Sequence, residues 1–542
     1  MTKLSWILFL PLLIFSSISN SENIHFENVN HNQKKQPLFS GQINKGIIKL
    51  HFKVSETAET RELLSAKIHL TRNSEPEFLQ LVEVEHTEII DGKTSISIFG
   101  NTSYFEATRI IIGGSEMIEP GSHTLSFNFE VKKEARLEQS FRIEKVELIF
   151  KGSEILTFNA DDTFAYRPAK IVREAGQDGA DTYRIPGLVT TNKGTLIAVY
   201  DNRYNNSKDL QEDIDVGMSR STDGGQTWEP MQIIMDMGEW GGRPERINGI
   251  GDPAVLYDDK NHILWVAGLW MSGATPEDML WWASEPGMDP AKTGQFVLVK
   301  STDDGRTWSE PINITEQIKD PEWQLLLQGP GKGITMKDGT MVFPAQFKKD
   351  IGEKAIDGGQ YTCHSTIVYS QDDGKTWNIG TGAKPNTTEA QVVQLEDGSL
   401  MLNMRDDRNR SVKDDSNGRA VAVTDDLGEA WTTHPTSNSA LQEPNCMASL
   451  IAADVDMNGQ KQQALFFSNP NNKEARVNMT IKASLDQGNS WLKENQVLLN
   501  ENQGFGYSCM TMVDKNTVGI LYEGVKELYF QKVPVDDIFS ER

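Results

Sequence analysis

One eight-residue pattern is written five times along the chain: "STDGGQTW" at 221–228, "STDDGRTW" at 301–308, "SQDDGKTW" at 370–377, "TDDLGEAW" at 424–431 and "SLDQGNSW" at 484–491. All five fit Ser/Thr-x-Asp-x-Gly-x-x-Trp. Their tryptophans, Trp228, Trp308, Trp377, Trp431 and Trp491, lie some 54 to 80 residues apart. Such intervals exceed one hairpin and suit a four-stranded unit with its loops. Units of that kind repeat radially as a propeller, each covering its neighbour's apolar face.

Physical chemistry gives the pattern a structural purpose. The Asp carboxylate can accept nearby backbone N–H groups and lock a turn. The Gly supplies a positive φ without steric cost. The Trp buries apolar surface between sheets. The box aspartates are therefore read as folding devices and excluded from catalysis.

The boxes begin only after residue 220. From about 23 to 165 the pattern is one of short alternating strands. "HTLSFNFEV" places Leu125, Phe127, Phe129 and Val131 on one face, and "KVELIF" does the same with Val146, Leu148 and Phe150. Period-two alternation between turn residues predicts half-buried antiparallel strands, here seven or more in a β-sandwich. "NADDTFAYRPAK" reads as the joint, and the propeller is expected over 170–542.

Before all this, "MTKLSWILFLPLLIFSSISN" has a basic residue, Lys3, and an apolar run from Leu4 to Phe15. It is too short for a membrane span and predicts a secretory signal over 1–22. The expectation is an exported protein, periplasmic or secreted. No cysteine follows the run, so a lipoprotein anchor is not indicated, and no other stretch is long enough to cross a bilayer, so no membrane anchor is expected. The formal net charge of −24 argues against a nucleic-acid partner. Cys363, Cys446 and Cys509, odd in number and without C-x-x-C spacing, predict neither a disulfide framework nor a zinc site. Buried thiols are expected. "DVDMNG" at 454–459 imitates an EF-hand start, but its twelfth position is Leu465, so a hairpin turn is expected there.

The five repeats resemble the Asp boxes of the sialidase superfamily. Some binding propellers carry such boxes too, and four further stretches narrow the resemblance. "DTYRIPGL" is similar to the Arg-Ile-Pro motif that opens sialidase catalytic domains. With "RDDRNR" and "NKEARVN", it makes Arg184, Arg405 and Arg476 match the family's arginine triad. Sialic acid carries a carboxylate on its anomeric carbon, and planar guanidinium groups hold carboxylates bidentately at any working pH. "NQGFGYSCM" resembles the segment of the nucleophilic tyrosine, here Tyr507. "NTTEAQVVQLEDG" places Glu389 as the base that takes its proton. A neutral phenol avoids repulsion by the substrate's own carboxylate, and sialidases are the tyrosine exception among retaining glycosidases. In "YDNRYNNSKDLQEDID", Arg203 resembles the fourth site arginine and Asp209 the acid/base, with Asp215 the next alternative. Asp252 in "GIGDPAVL" resembles a contact to the ring's 4-hydroxyl. Glu523 in "LYEG" resembles the carboxylate that orients the first arginine. Trp and Leu residues at 323–327 are candidates to line an N-acetyl pocket.

The resemblance covers about Ile171 to the C-terminus. It implies an all-β, six-bladed propeller behind the sandwich, which itself resembles a carbohydrate-binding module. It implies an exo-sialidase that acts with retention on sialylated glycans, glycoproteins or glycolipids, with no cofactor and no metal. A trans-sialidase would have the same residues. A non-catalytic propeller that binds glycans or peptides, or an adhesin with the propeller as scaffold, would have no reason to keep the arginines, Tyr507 and Glu389 together.

Overall fold

A computed structural model describes residues 26–539, except 91, 211, 276–277, 351–353 and 458. The signal expected over 1–22 lies outside the described residues. The chain is all-β, and among the described residues the strands form eight sheets.

The first two sheets use the alternating N-terminal strands. One orders Phe26–Gln33, Ile43–Val54, Gly121–Val131, Leu79–Ile90 and Lys93–Thr102; the other orders Ile155–Asn159, Ile143–Phe150, Arg61–Leu70 and Arg109–Ile118. Leu125, Phe127, Phe129 and Val131 are all fully buried, as alternation predicts, and share one core with Val146, Leu148 and Phe150.

Six further sheets follow in chain order, the first made of Thr182–Thr190, Leu196–Arg203, Ile214–Ser221 and Gln232–Met235. The last is assembled from both ends of this region. Ser508–Asp514, Thr517–Glu523 and Leu528–Pro534 are joined at the outside by Pro168–Arg173, which pairs antiparallel with Leu528–Pro534. Residues from before the joint also enter it: Leu38–Phe39 pairs in parallel with Pro168–Ala169.

The repeated boxes are hairpin turns between the third and fourth strands of five of these sheets. Every box Asp accepts the backbone N–H four residues on: Thr227, Thr307, Thr376, Ala430 or Ser490, at 2.8–3.0 Å. In four boxes the hydroxyl of that same residue also donates to the Asp; Ala430 has none to give. The first residue of the box has its own work. Ser221, Ser301, Ser370, Thr424 and Ser484 donate to the Asp and accept the Gly N–H. The five box glycines all hold φ between 79° and 87°, where a side chain would be strained. A Cβ at Gly225 would also collide with Phe530, and one at Gly374 with Trp265. Of the five tryptophans Trp377 is buried and the others half-buried. Trp228 meets Phe530 of the last sheet edge-on, so the first and last of the six sheets touch.

The three cysteines are free and buried. Of the 454–459 stretch, 454–457 end the strand Ser449–Met457, which pairs as a hairpin with Gln460–Pro470 up to Met457 opposite Gln460; Asn458 lies outside the described residues.

Candidate active site

In three of the six sheets the first strand has an irregularity that falls at a predicted site residue. Register shifts lie between Arg184 and Gly187, between Gly251 and Ala254, and between Thr387 and Ala390. A bulge re-aims the side chains beside it and recurs next to active sites. Ile185 and Asp252 have φ of 57° and 54°, a region a β-branched residue avoids unless its surroundings compel it. At Ile185 the compelling group is Glu523.

Glu523 is 2% exposed and its carboxylate ties three segments together. Oε1 accepts Arg184 Nε at 3.1 Å and the Ile185 N–H at 2.9 Å; Oε2 accepts the Tyr507 N–H at 2.8 Å. The Arg184 guanidinium is thereby fixed, lying 4.6 Å from the Phe505 ring centre and 5.2 Å from that of Tyr507. Burial alone would lower its proton affinity, but Glu523 and Asp209 raise it, so Arg184 stays charged.

Arg405 is held by a residue the sequence reading missed. Asn445 Oδ1 accepts both Arg405 Nε and Nη2, at 3.2 and 2.8 Å, while its backbone oxygen accepts Arg476 Nη2 at 3.3 Å. Arg476 Nη1 donates to the Phe505 carbonyl at 2.7 Å. Arg405 Nη1 reaches Glu389 Oε2 at 2.5 Å and the Tyr507 hydroxyl at 3.1 Å. The Tyr507 hydroxyl in turn donates to Glu389 Oε1. Burial, and then the negative charge of Glu389, push the Tyr507 phenol well above its ordinary range, against the pull of Arg405 and Arg476.

Arg203 is fully buried and is clamped by Asp201, which accepts Nε at 3.1 Å and Nη2 at 2.8 Å. Its Nη1 donates to Asp209 Oδ1 at 2.7 Å, and Arg184 Nη1 donates to the same oxygen at 2.8 Å. Burial by itself would raise the Asp209 carboxyl; Arg203 and Arg184 hold it well below the usual carboxylate range. The Asp252 N–H donates to Asp201 Oδ1 at 2.8 Å. Burial, and then the charges of Asp201 and Asp209, push the Asp252 carboxyl well up.

Part of this group opens on a cavity of about 270 Å³. Asp209, Asp252, Glu389, Arg405 and Tyr507 line it, with Arg184 and Arg476 stacked against the Tyr507 ring. One side of the cavity is apolar, formed by Leu210, Leu269, Leu280, Leu327 and Trp281. Of the 323–327 candidates, Leu327 lines the cavity, whereas Trp323 stacks on Phe347 at 4.0 Å. Trp281, Trp282 and Gln346 also line it and were not singled out from the sequence. Asp215 does not line it; it is 6% exposed and accepts the Tyr204 hydroxyl at 2.9 Å.

Known proteins resemble this chain in sequence and in fold. Residues 185–523 match the family described as BNR repeat-like domain. A sialidase of Bacteroides fragilis is 48% identical over 434 residues, spanning 80% of this chain and 77% of that protein. A solved Hadza microbial sialidase superposes with a TM-score of 0.80 at 38% identity, over 93% of this chain and 99% of the other. An intramolecular trans-sialidase of Ruminococcus gnavus shares the fold, with a TM-score of 0.53 at 19% identity, over 68% of this chain and 98% of the other.

Proposed function

The chain belongs to the BNR-repeat sialidases, and from that membership we propose how its site releases sialic acid. The protein is an exo-sialidase, a glycoside hydrolase whose substrates are sialylated glycans. The observation that supports the mechanism is the gathering of Arg184, Arg405 and Arg476 around the Tyr507–Glu389 pair, which with Arg405 lines the cavity.

The substrate carboxylate is anionic at every working pH, and a planar guanidinium offers it two parallel donors. Three such groups, each fixed by Glu523, Asn445 or a backbone carbonyl, hold the sugar by the atom next to its reacting carbon. The Tyr507 phenol stays protonated in the free site. As its oxygen bonds to the anomeric carbon, Glu389 takes the phenolic proton through the existing hydrogen bond. Asp209 gives a proton to the departing glycosidic oxygen as the carbon–oxygen bond breaks. In the second half Asp209 takes a proton from water, the water oxygen bonds to the anomeric carbon, and Tyr507 leaves as Glu389 returns the phenolic proton to it. Two displacements give retention. The apolar wall of Leu269, Leu280 and Leu327 suits the methyl of an N-acetyl group, and Asp252 suits the ring's 4-hydroxyl.

We read the six consecutive sheets as the blades of a propeller, over about 170–542, and the two N-terminal sheets as a sandwich, over about 23–165. Closure of the last sheet by Pro168–Arg173 and the Trp228–Phe530 contact support the first; the single shared core supports the second. Export is the reading of Lys3 and the apolar run after it.

Incubation with a sialylated glycoprotein tests the function: free sialic acid should appear, first as the α-anomer by NMR. Its absence would leave a binding propeller, and sialic acid found on an acceptor sugar would mean transfer. A first product in the β-anomer would rule out the double displacement.

A further inference from the structure

Four arginines of the site, Arg184 and Arg203 buried and Arg405 and Arg476 half-buried, stand beside four carboxylates. Arg184 has Glu523, Arg203 has Asp201 and Arg405 has Glu389. Arg476 is bonded to backbone carbonyls only, at Phe505 and Asn445. The fourth carboxylate is Asp209, which accepts Arg184 and Arg203 and feels the positive field of Arg476 as well. Its side chain is 60% exposed and lines the cavity, and its hydrogen bonds among the described residues run to Arg184 and Arg203.

Arg184 Nε is committed to Glu523, and its Nη1 is the donor given to Asp209. That is the side of the guanidinium a substrate carboxylate needs. Resting on the mechanism above, we infer that Asp209 is an internal carboxylate seated in the anion site of the empty enzyme, and that substrate must displace it from Arg184 and drive a proton onto it. Charge balance gives the reason. Arg410 also lines the cavity but is paired with Asp407, so it leaves the balance unchanged. With Asp209 in place the other four guanidinium groups stand beside four carboxylates, and a bound substrate adds one further negative charge. Taking one proton restores the balance.

Among the other groups that face Asp209, Asp252 already favours its neutral form, and its charge would oppose that of Asp209. Glu389 is held by Arg405 and Tyr507. Arg203 remains beside Asp209 after displacement, but Asp201 has neutralised it. Asp209 is therefore the group free to respond. The proton it takes up is the one it later gives to the glycosidic oxygen, so substrate binding loads the acid.

Free sialic acid is the probe. Calorimetric titration between pH 4.5 and 6.5, in buffers of different ionisation enthalpy, reads the protons taken up; the ligand's own carboxyl is ionised throughout. The expected result is uptake approaching one proton per site at the acid end. By linkage the affinity then strengthens toward tenfold per unit fall in pH. Asp209→Asn should abolish the uptake and bind sialic acid about three- to tenfold more tightly, since the internal competitor is gone. Asp252→Asn should keep the uptake. Wild-type enzyme that binds and hydrolyses with no uptake overturns the inference and leaves the mechanism standing, as does uptake lost in Asp252→Asn and kept in Asp209→Asn. Unimpaired hydrolysis of sialyl-galactosides by Asp209→Asn would instead overturn the acid assignment beneath it. The wild-type pH series decides the matter without any variant.

Discussion

Glu389 is bonded on both of its carboxylate oxygens, to the Tyr507 phenol through Oε1 and to Arg405 Nη1 through Oε2 at 2.5 Å. The pair joins the proposed nucleophile to one arm of the anion clamp. Asn445 still holds Arg405 Nε and Nη2 when Glu389 is changed, so a change there reports chiefly on chemistry. Glu389→Gln keeps the shape and can still bond to the phenol, but it cannot take a proton. The expected loss is about 10²–10⁴ in kcat, on nitrophenyl sialosides and sialyl-galactosides alike, with binding of free sialic acid within about threefold. Loss of binding with kcat preserved would assign Glu389 to clamp geometry instead.

The fourth box lacks one bond that the other four possess. Asp426 accepts the Ala430 N–H at 3.0 Å, where Thr227, Thr307, Thr376 and Ser490 add a hydroxyl. Ala430→Thr supplies it at an exposed position whose backbone already has the right turn. Tm should rise by about one or two degrees, with kcat/KM unchanged. A fall in Tm would show that the hydroxyl contributes nothing to these turns.

This box shows why part of the molecule is legible in the sequence. Its bonds join residues two to four apart, so turn, Gly conformation and exclusion from catalysis follow from one line of text. Arg184, Glu389, Arg405, Arg476, Tyr507 and Glu523 were readable because they sit in motifs, and the structure brings them to one cavity or directly behind it. Asn445 was not readable. Its partners Arg405 and Arg476 lie 40 and 31 residues away, and a lone Asn carries no local sign of them. The buried Arg419–Glu443 pair, which also fixes the 443–446 turn through the Cys446 carbonyl, escaped for the same reason. Asp209 and Asp215 share one acidic stretch, and text alone could not say which faces the cavity. Pairing does: Asp215 lies in a strand opposite Asn202, and Asp209 lies on the loop before it.

That difference predicts a contrast in kinetics. A sugar alkoxide leaves badly and needs a proton, whereas nitrophenolate leaves unaided. Asp209→Ala should lose about 10²–10⁴ in kcat/KM on sialyl-galactosides and far less on nitrophenyl sialosides. Reading kcat/KM confines the comparison to steps through the first irreversible one. Asp215→Asn should change neither by more than about threefold. Equal losses on both substrates for Asp209→Ala would remove it as the acid.

Every predicted site residue lies beyond position 170, yet the N-terminal region is stitched to the later sheets. Besides the Leu38–Phe39 strand, the Lys35 N–H donates to Glu501 at 2.9 Å, and Glu138 pairs with Lys532 at 2.5 Å, itself 5% exposed. A chain beginning at Ala165 would lose all three and leave Lys532 buried without its partner. Its kcat on aryl sialosides should stay within about tenfold of the full chain, while its Tm falls by several degrees. A larger loss of kcat in a folded truncated chain would mean that the N-terminal sheets shape the site.

Asp215 has a use as a probe of stability. Burial first, and then the charge of Asp236, push its carboxyl up to about 7, against the hydrogen bond from Tyr204; Asp213 is pushed up to about 6 close by. An unfolded aspartate titrates at about 3.9. Between those values the native protein binds a proton that the unfolded chain has released. Stability must then fall as pH rises from about 4 to about 7, and stay reduced above that. Asp215→Asn keeps an acceptor for Tyr204 and has no charge to desolvate. It should leave Tm near that of the parent at pH 4 and exceed it at pH 8. A gap of the order of a few kcal/mol should open across the window, about 1.4 kcal/mol for each pH unit that separates the folded and unfolded titrations. Asp213 continues to titrate in the variant, so a shallower fall across the same window should remain. Parallel Tm curves for parent and variant from pH 4 to 8 would show that Asp215 is ionised in the folded protein throughout.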